Sequence, residues 1–377
     1  MNQMVSISQA EAALGKMFAA QANAADQVER FERFAEVGLP HPRDEKWRWT
    51  DLHGAITKFS KRAAAIKNDA YVTLDGVTQT EFVSKKNDLI SLLAAGLSTA
   101  NSIAEFVIDR TPDKVLKLQT NCNSTLSGSL VQIRVKSGCS VVLIEDNNQI
   151  NNGFAVNSRE FIVEYDASLT RILVNKHSPD QTRINQAFVE IGQNGYYHQY
   201  TLDFGAHLSR NQTHISLLGD NTNIAVNGAY LLFDNCKSDM TSVISHQALS
   251  GVTRQLVKGV VFDQAKAVFQ GKFHVAKSAQ QTDAKMGHHT VLLGDAARVQ
   301  AKPELEIYAD DVACAHGNTV GALDDAALFY MRQRGLSETQ ARALLIRAFV
   351  IETLDKLPAE IAKDLTADID NWLEGRQ

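Results

Sequence analysis

The chain has 377 residues, 44% of them hydrophobic, and a formal net charge of -5 at pH 7, enough to bury a large core and, by length, to form two or three structural regions. No basic arm with interleaved aromatics argues for nucleic acid, and no apolar run is long enough to cross a membrane. The start, MNQMVSISQAEAALGKMF, lacks the charged region and small-residue cleavage site of an export signal, so a cytoplasmic protein is expected. Four cysteines, Cys122, Cys139, Cys236 and Cys314, are widely spaced without a C-x-x-C pair, which indicates neither a disulfide framework, nor a zinc knuckle, nor a dedicated four-cysteine cluster site.

Residues 8–37 read as helix: Ala10, Leu14, Met17 and Phe18 give way to Val28, Phe31 and Phe34 at three-to-four spacing, and Gly38 with Pro40 ends the run. Over 45–52 Trp47 and Trp49 flank Arg48. The indoles fit either a hydrophobic plug that pins the N-terminal helices to the next layer or a surface for a partner. From 71 to 118 short apolar runs such as Tyr71-Val72-Thr73-Leu74 and Leu89-Ile90-Ser91-Leu92-Leu93 alternate with polar turns, and 102–109 fits a strand or a short helix.

From about Ser129 many short strands are expected. Val131, Ile133 and Val135 alternate with polar residues, as do Val141 and Leu143, Phe161 and Val163, Val189 and Ile191, and Ile215 and Leu217. Between them fall turn clusters: Ser137-Gly138, Asp166-Ala167-Ser168, Gln193-Asn194-Gly195, Gly219-Asp220-Asn221. With no helical pattern inside and no strict short repeat, this texture fits a sandwich, a barrel or a coil of strands.

The stretch 303–349 reads PELEIYADDVACAHGNTVGALDDAALFYMRQRGLSETQARALLIRAF. Leu305 and Ile307 alternate with Glu304 and Glu306 as in a strand, which is expected to deliver Cys314 and His316 into a turn over 314–319, with Gly317 and Gly321 as its permissive residues. Asp324 or Asp325 can cap a helix carrying Ala327, Leu328 and Met331 on one face, Gly335 stops it, and Ser337 with Gln340 forms a capping box for a second helix burying Ala341, Leu344, Leu345 and Ala348.

Histidines crowd the second half of the chain. His288 and His289 suggest a metal pair, but neighbours on a strand point to opposite faces, so one ion rarely meets both. Cys314 and His316, at i and i+2, share a face if extended and could converge on one ligand, since thiolate and imidazole both bind iron and its clusters. Equally, Cys314 can be a small core residue and His316 a hydrogen-bonded one. No G-x-x-x-x-G-K-[ST] phosphate loop occurs, which argues against ATP hydrolysis by this chain.

The pattern P-x-L-E-I-x-x-D-D-V-x-C-x-H-G-[AN]-T-x-G, continued by Leu328-Phe329-Tyr330 and Arg334-Gly335, resembles the SufB/SufD family of iron–sulfur cluster assembly proteins. Lys258-Gly259-Val260-Val261-Phe262, Phe269-Gln270-Gly271-Lys272 and 279–284, AQQTDA, agree with it, and the short chain with Gly38-Leu39-Pro40 and EKWRWTDL is similar to the SufD type. The resemblance implies a mainly β fold: a right-handed parallel β-helix over 71–320, best defined over 120–315, between an N-terminal helical region (1–70) and a C-terminal helical domain (321–377). It implies a non-catalytic scaffold that pairs with SufB, binds the SufC ATPase, and holds a transient cluster or iron at the SufB interface. No cofactor is expected to stay bound to the isolated chain, and a flavin, if any, would belong to the complex and to SufB. It also makes His316 the first interface and metal-ligand candidate and Cys314 the second, with Arg342, Leu345, Arg347 and Phe349 as contacts for SufC. The isolated chain could form a homodimer. Ala315 and Asn318 stand where the family often has Ser and Ala, small changes that remove no ligand. Two other classes are weighed: an iron-binding or metal-delivery protein using the histidines, and a β-helix carbohydrate-active enzyme, which would need a carboxylate cluster and an export signal.

Overall fold

The computed structural model describes residues 8–20, 25–41, 43–60, 70–122, 124–149 and 153–375. Its centre is a β-solenoid of about eight turns, 49% of the chain being strand. One sheet runs in the order β1 (Tyr71–Leu74), β4 (Leu116–Cys122), β6 (Ser140–Gln149), β8 (Ser168–Asn175), β10 (Tyr196–Asp203), β12 (Asn223–Leu232), β14 (Val252–Phe262), β16 (Thr282–Leu293) and β18 (Val312–Gly321). The other runs β17 (Arg298–Ile307), β15 (Lys266–Val275), β13 (Lys237–His246), β11 (Ala206–Leu217), β9 (Ser178–Ile191), β7 (Phe154–Val163), β5 (Leu126–Val135), β3 (Ser98–Ile108) and β2 (Gln79–Thr80). From β3 onward the chain thus crosses from sheet to sheet with each strand and lays each rung parallel on the one before. Among the described strands only β1 on β4 and β2 on β3 are antiparallel, at the first rung.

The corners explain why the turn residues recur. Asp166, Asn194, Asn221, Ser250 and Gln281 all take positive φ, as does Gly138, the left-handed conformation that Asn, Asp and Gly adopt at least cost. Each donates its amide to the corner of the following rung: Asp166 to Gln193 O (3.0 Å), Asn194 to Asp220 O (2.9 Å), Asn221 to Leu249 O (3.0 Å). Stacked residues such as Ser140, Ser168, Tyr196, Asn223, Val252 and Asp283 are not evenly spaced in sequence, so no fixed repeat is visible.

Inward residues form one continuous apolar core, from Val72 and Phe106 through Ile133, Phe161, Tyr197 and Ile244 to Phe273 and Met286. A polar column runs beside it. Glu145 lies between Arg159 (3.3 Å) and Arg171, all fully buried; burial alone would raise its carboxyl, and Arg171 and Arg159 outweigh that and hold it below the usual range. Arg183 pairs with Asp203 at 3.1 Å in the same column.

Helices cover the outer faces of the sheets. Of the expected helix over 8–37, the described residues form two helices, α1 (Gln9–Ala19) and α2 (Ala25–Val37), with Phe18 stacked on Phe31 at 4.0 Å between centroids; residues 21–24 lie outside the described residues. With α3 (Leu52–Ser60) and α4 (Leu89–Leu97) they bury Leu14, Phe34, Ile56 and Leu93 against Phe154, Val156, Ile184 and Leu208. The apolar run 89–93 is therefore helix and not extended. Asp88 caps it by accepting from the amides of Ile90 and Ser91, and an element buried on nearly every side has no periodicity to betray its type. Residues 102–109 fall in strand β3. On the other sheet, α5 (Asp325–Gln333), α6 (Glu338–Ile351) and α7 (Ala359–Glu374) bring Ile346, Val350, Leu365 and Trp372 onto Tyr200, Leu202, Leu231 and Val260. No helix among the described residues is long and apolar enough to cross a membrane.

Trp47 is buried, with the Arg210 guanidinium 4.0 Å from its ring centroid. Arg210 is itself inaccessible and pairs with Asp239, which also accepts from Thr50; Lys46 O accepts from Arg210 at 3.0 Å and Lys302 meets Glu45 at 2.6 Å. The 45–52 segment is a plug laid across β11, β13, β15 and β17.

Candidate functional site at the open end of the solenoid

The last rung, β17 and β18, ends both sheets: β17 pairs with β15 and β18 with β16, and neither has another neighbour among the described residues. The helices cover the flat faces and leave this end bare. Ile307, Tyr308 and Val320 are exposed here.

The expected turn over 314–319 is instead the middle of β18. Cys314 lies beside Ala284, His316 beside Met286 and Asn318 beside His288, with the rung between them unbroken. The turn comes earlier, over 308–311, where Gln281 donates to Asp311 O (2.6 Å) and Asp311 donates to Gln280 Oε1 (2.9 Å). Gly317 and Gly321 have no positive φ; their local sequence favours a turn, but pairing with β16 holds them extended. Alternation then puts Cys314, His316 and Asn318 on the core-facing side of the terminal strand.

Cys314 is half-buried and packs against the end of the apolar core. Burial pushes its thiol up, Asp283 adds to this, and a backbone hydrogen bond at Ala284 opposes it, so it is a neutral thiol at pH 7. His316 is exposed. Among the described residues no three His, Cys, Asp or Glu side chains are grouped to hold a metal ion. Cys314 and His316 form an accessible pair of ligand types on one face of an unpaired edge.

His288 and His289 do point apart. His288 is buried, its Nε2 2.8 Å from the Tyr230 hydroxyl and its Nδ1 2.7 Å from Asn318 Oδ1; His289 faces outward, with Nδ1 2.8 Å from Thr319 Oγ1. Asn318, which the sequence presented as a harmless change, is thus a partner of a buried imidazole, and only the stacking of β16 on β18 reveals it.

In the C-terminal helices Asp324 caps α5, Gly335 takes φ +93° after it, and Ser337 with Gln340 completes the capping box of α6. The buried face of α6 agrees with the expected one at Ala341 but otherwise differs: Ile346 and Val350 are buried with it, whereas Leu345 is half-buried and Leu344 and Ala348 are exposed. The helix is rotated because it packs on the sheet and α7 as well as on α5. Arg342 pairs with Glu338 at 3.0 Å on the surface, and Arg347 reaches Asp370 of α7 at 2.7 Å. Leu345 and Phe349 line a cavity of about 330 Å³ between the end of β18, residues 322–324 and α6; the Lys258 ammonium lies 4.5 Å from the Phe349 ring centroid and pairs with Glu352. Phe329 (66% exposed), Tyr330 (59%) and Leu344 (44%) form the outward apolar side of the α5–α6 hairpin.

Residues 118–349, from β4 into α6, match the family model described as "SUF system FeS cluster assembly, SufBD core domain". The chain belongs to the SufBD family. It is similar to the iron–sulfur cluster assembly protein SufD of Escherichia coli, at 27% identity over 92% of each chain. It is also similar to an iron–sulfur cluster assembly SufBD family protein of Synechocystis, at 28% over 85% of this chain and 84% of the other, and to the chloroplastic protein ABCI7 of Arabidopsis thaliana, at 32% over 54% of this chain and 43% of the other. The SufBD match takes in the solenoid from β4 to its open rung, α5 and most of α6; α1 to α4, β1 to β3 and α7 lie outside it.

Proposed function

We propose that the chain is the SufD-type subunit of a cytoplasmic iron–sulfur cluster assembly complex, a scaffold that catalyses no reaction and lends one wall to the site where a nascent cluster or iron is held as cargo. The observation that carries this reading is the bare last rung, with His316 exposed and Cys314 half-buried on one face of β18. An unpaired, mostly extended edge is a template for strands of a second chain. SufB, a related chain, would supply those strands and the remaining ligands, since one imidazole and one thiol cannot enclose a cluster. His316 acts as a ligand or shapes the interface, and Cys314 is poised as a second donor once a metal lowers its thiol pKa. In the absence of SufB the same edge would pair two copies of the chain.

SufC would dock on the C-terminal helices through Arg342, Leu345, Arg347 and Phe349, with the exposed Phe329, Tyr330 and Leu344 widening the apolar contact. Nucleotide-driven movement of SufC would reach the cargo site through residues 322–324, which join β18 directly to α5.

The test is co-expression with SufB and SufC of the same host, comparing wild type with His316→Ala by gel filtration, iron and sulfide content and cluster absorbance. A mutant complex that assembles fully but carries little iron and sulfide bears the reading out. Unchanged cluster content overturns the role of His316 and reduces the chain to architecture.

A further inference from the structure

β18 has one strand neighbour among the described residues, and side chains from β16 grip it on both faces. On the outer face His289 reaches Thr319. On the inner face the grip comes from deep in the core. The His288 ring stacks on Phe269, centroids 4.3 Å apart and planes 2° from parallel. Its Nε2 meets the Tyr230 hydroxyl at 2.8 Å and Thr290 Oγ1 at 3.2 Å, and those hydroxyls are 2.6 Å from each other. All four of these side chains are buried. With two hydroxyls converging on Nε2 and a carbonyl oxygen at Nδ1, the neutral tautomer protonated at Nδ1 satisfies every contact, and that N–H donates to Asn318 Oδ1. Burial holds the imidazole down at about 4, so it stays neutral through the physiological range.

We infer that His288 is a positioning residue: through Asn318 it fixes the edge strand to the packed interior and so sets the direction in which His316, two residues earlier on the same face, is presented. This rests on the reading of β18 as the site-bearing edge. His316 makes no side-chain hydrogen bond of its own among the described residues, so its direction follows that of its backbone. A ring that cannot rotate is a better anchor than a mobile surface group, because holding it costs no further rotamer entropy.

Asn318 is exposed, so Asn318→Leu removes the bond without opening the core, and Asn318→Asp keeps an acceptor for the same N–H. Amide hydrogen exchange of the isolated chain, read by mass spectrometry on peptides from β14, β16 and β18, is compared with the cluster content of the co-expressed complex. Asn318→Leu is expected to speed exchange in β18 about tenfold, the effect of one lost hydrogen bond, to leave β14 unchanged, and to lower cluster content; Asn318→Asp restores both. Unchanged β18 exchange in Asn318→Leu overturns the proposal, as does faster exchange with full cluster content when His316→Ala has lowered it. Faster exchange with neither variant affecting the cluster leaves His288 as the anchor of the strand and removes the reading of His316 instead.

Discussion

Gly259 shows at the scale of one residue how a motif position acquires its physical reason. It sits in β14 beside Tyr230, and a methyl group there would overlap the Tyr230 ring. The tyrosine is fully buried and hydrogen-bonded to His288 and Thr290, so it has no free path of retreat. Gly259→Ala is expected to destabilise the chain by about 1–3 kcal/mol through overpacking, read as a lower urea midpoint with an unchanged slope. The Lys-Gly-Val-Val-Phe block was legible as a motif, but its glycine could not be explained without the stacked neighbour. Trp47 teaches the same: the sequence favours a plug over a docking surface, and the Arg210 guanidinium, far along the chain, lies over the ring and makes it one. Side-chain chemistry states what a residue can do, and its partner decides what it does.

Element boundaries and types were legible where local chemistry sets them. Asp324, Ser337, Gln340 and Gly335 mark the helix ends as their spacing suggests, because caps are closed by atoms three or four residues away. The orientation of α6 was not legible. Its apolar residues surround most of the helix, so periodicity selects no single face, and docking on sheet and α7 chooses Ala341, Ile346 and Val350. Ile346→Ala is therefore expected to cost about 2–5 kcal/mol, whereas Leu344→Ala should stay within about 0.5 kcal/mol of wild type; thermal or urea unfolding of the two variants separates the faces. A reversal of that order would mean that the hairpin packs as the sequence alone suggested. β18 is the converse case: glycines and small polar residues favour a turn locally, and ten paired residues of β16 outweigh that preference.

Across the whole molecule, burial sets the response to pH. His214, His246 and His288 lie on β11, β13 and β16, and burial holds each near 4. A histidine whose folded value lies below the unfolded one takes up its proton more readily when unfolded. Its full contribution to stability is present above about pH 6.5 and is lost as pH falls toward 4, by about 3 kcal/mol apiece. Urea midpoints at pH 7.5, 5.5 and 4.5 are expected to fall in that order, and the fall should lessen in His246→Gln. A midpoint flat down to pH 4.5 would mean that these imidazoles are hydrated or protonated in the folded chain.

What the sequence by itself determined is the local vocabulary: alternation in the strands, Asn, Asp and Gly at the corners, the caps of α5 and α6, and the motif residues that place the chain in its family. Each depends on atoms a few positions apart, so the chain carries the information wherever it folds. Alternation left sandwich, barrel and coil open and the family motif implied the solenoid; only the tertiary structure decided that Cys314 to Thr319 stay extended, that Asn318 answers to His288, and which rung is left open. Those outcomes depend on pairing between residues about one full rung apart, where hydrogen bonding and burial of the stacked neighbour exceed any local preference of the backbone.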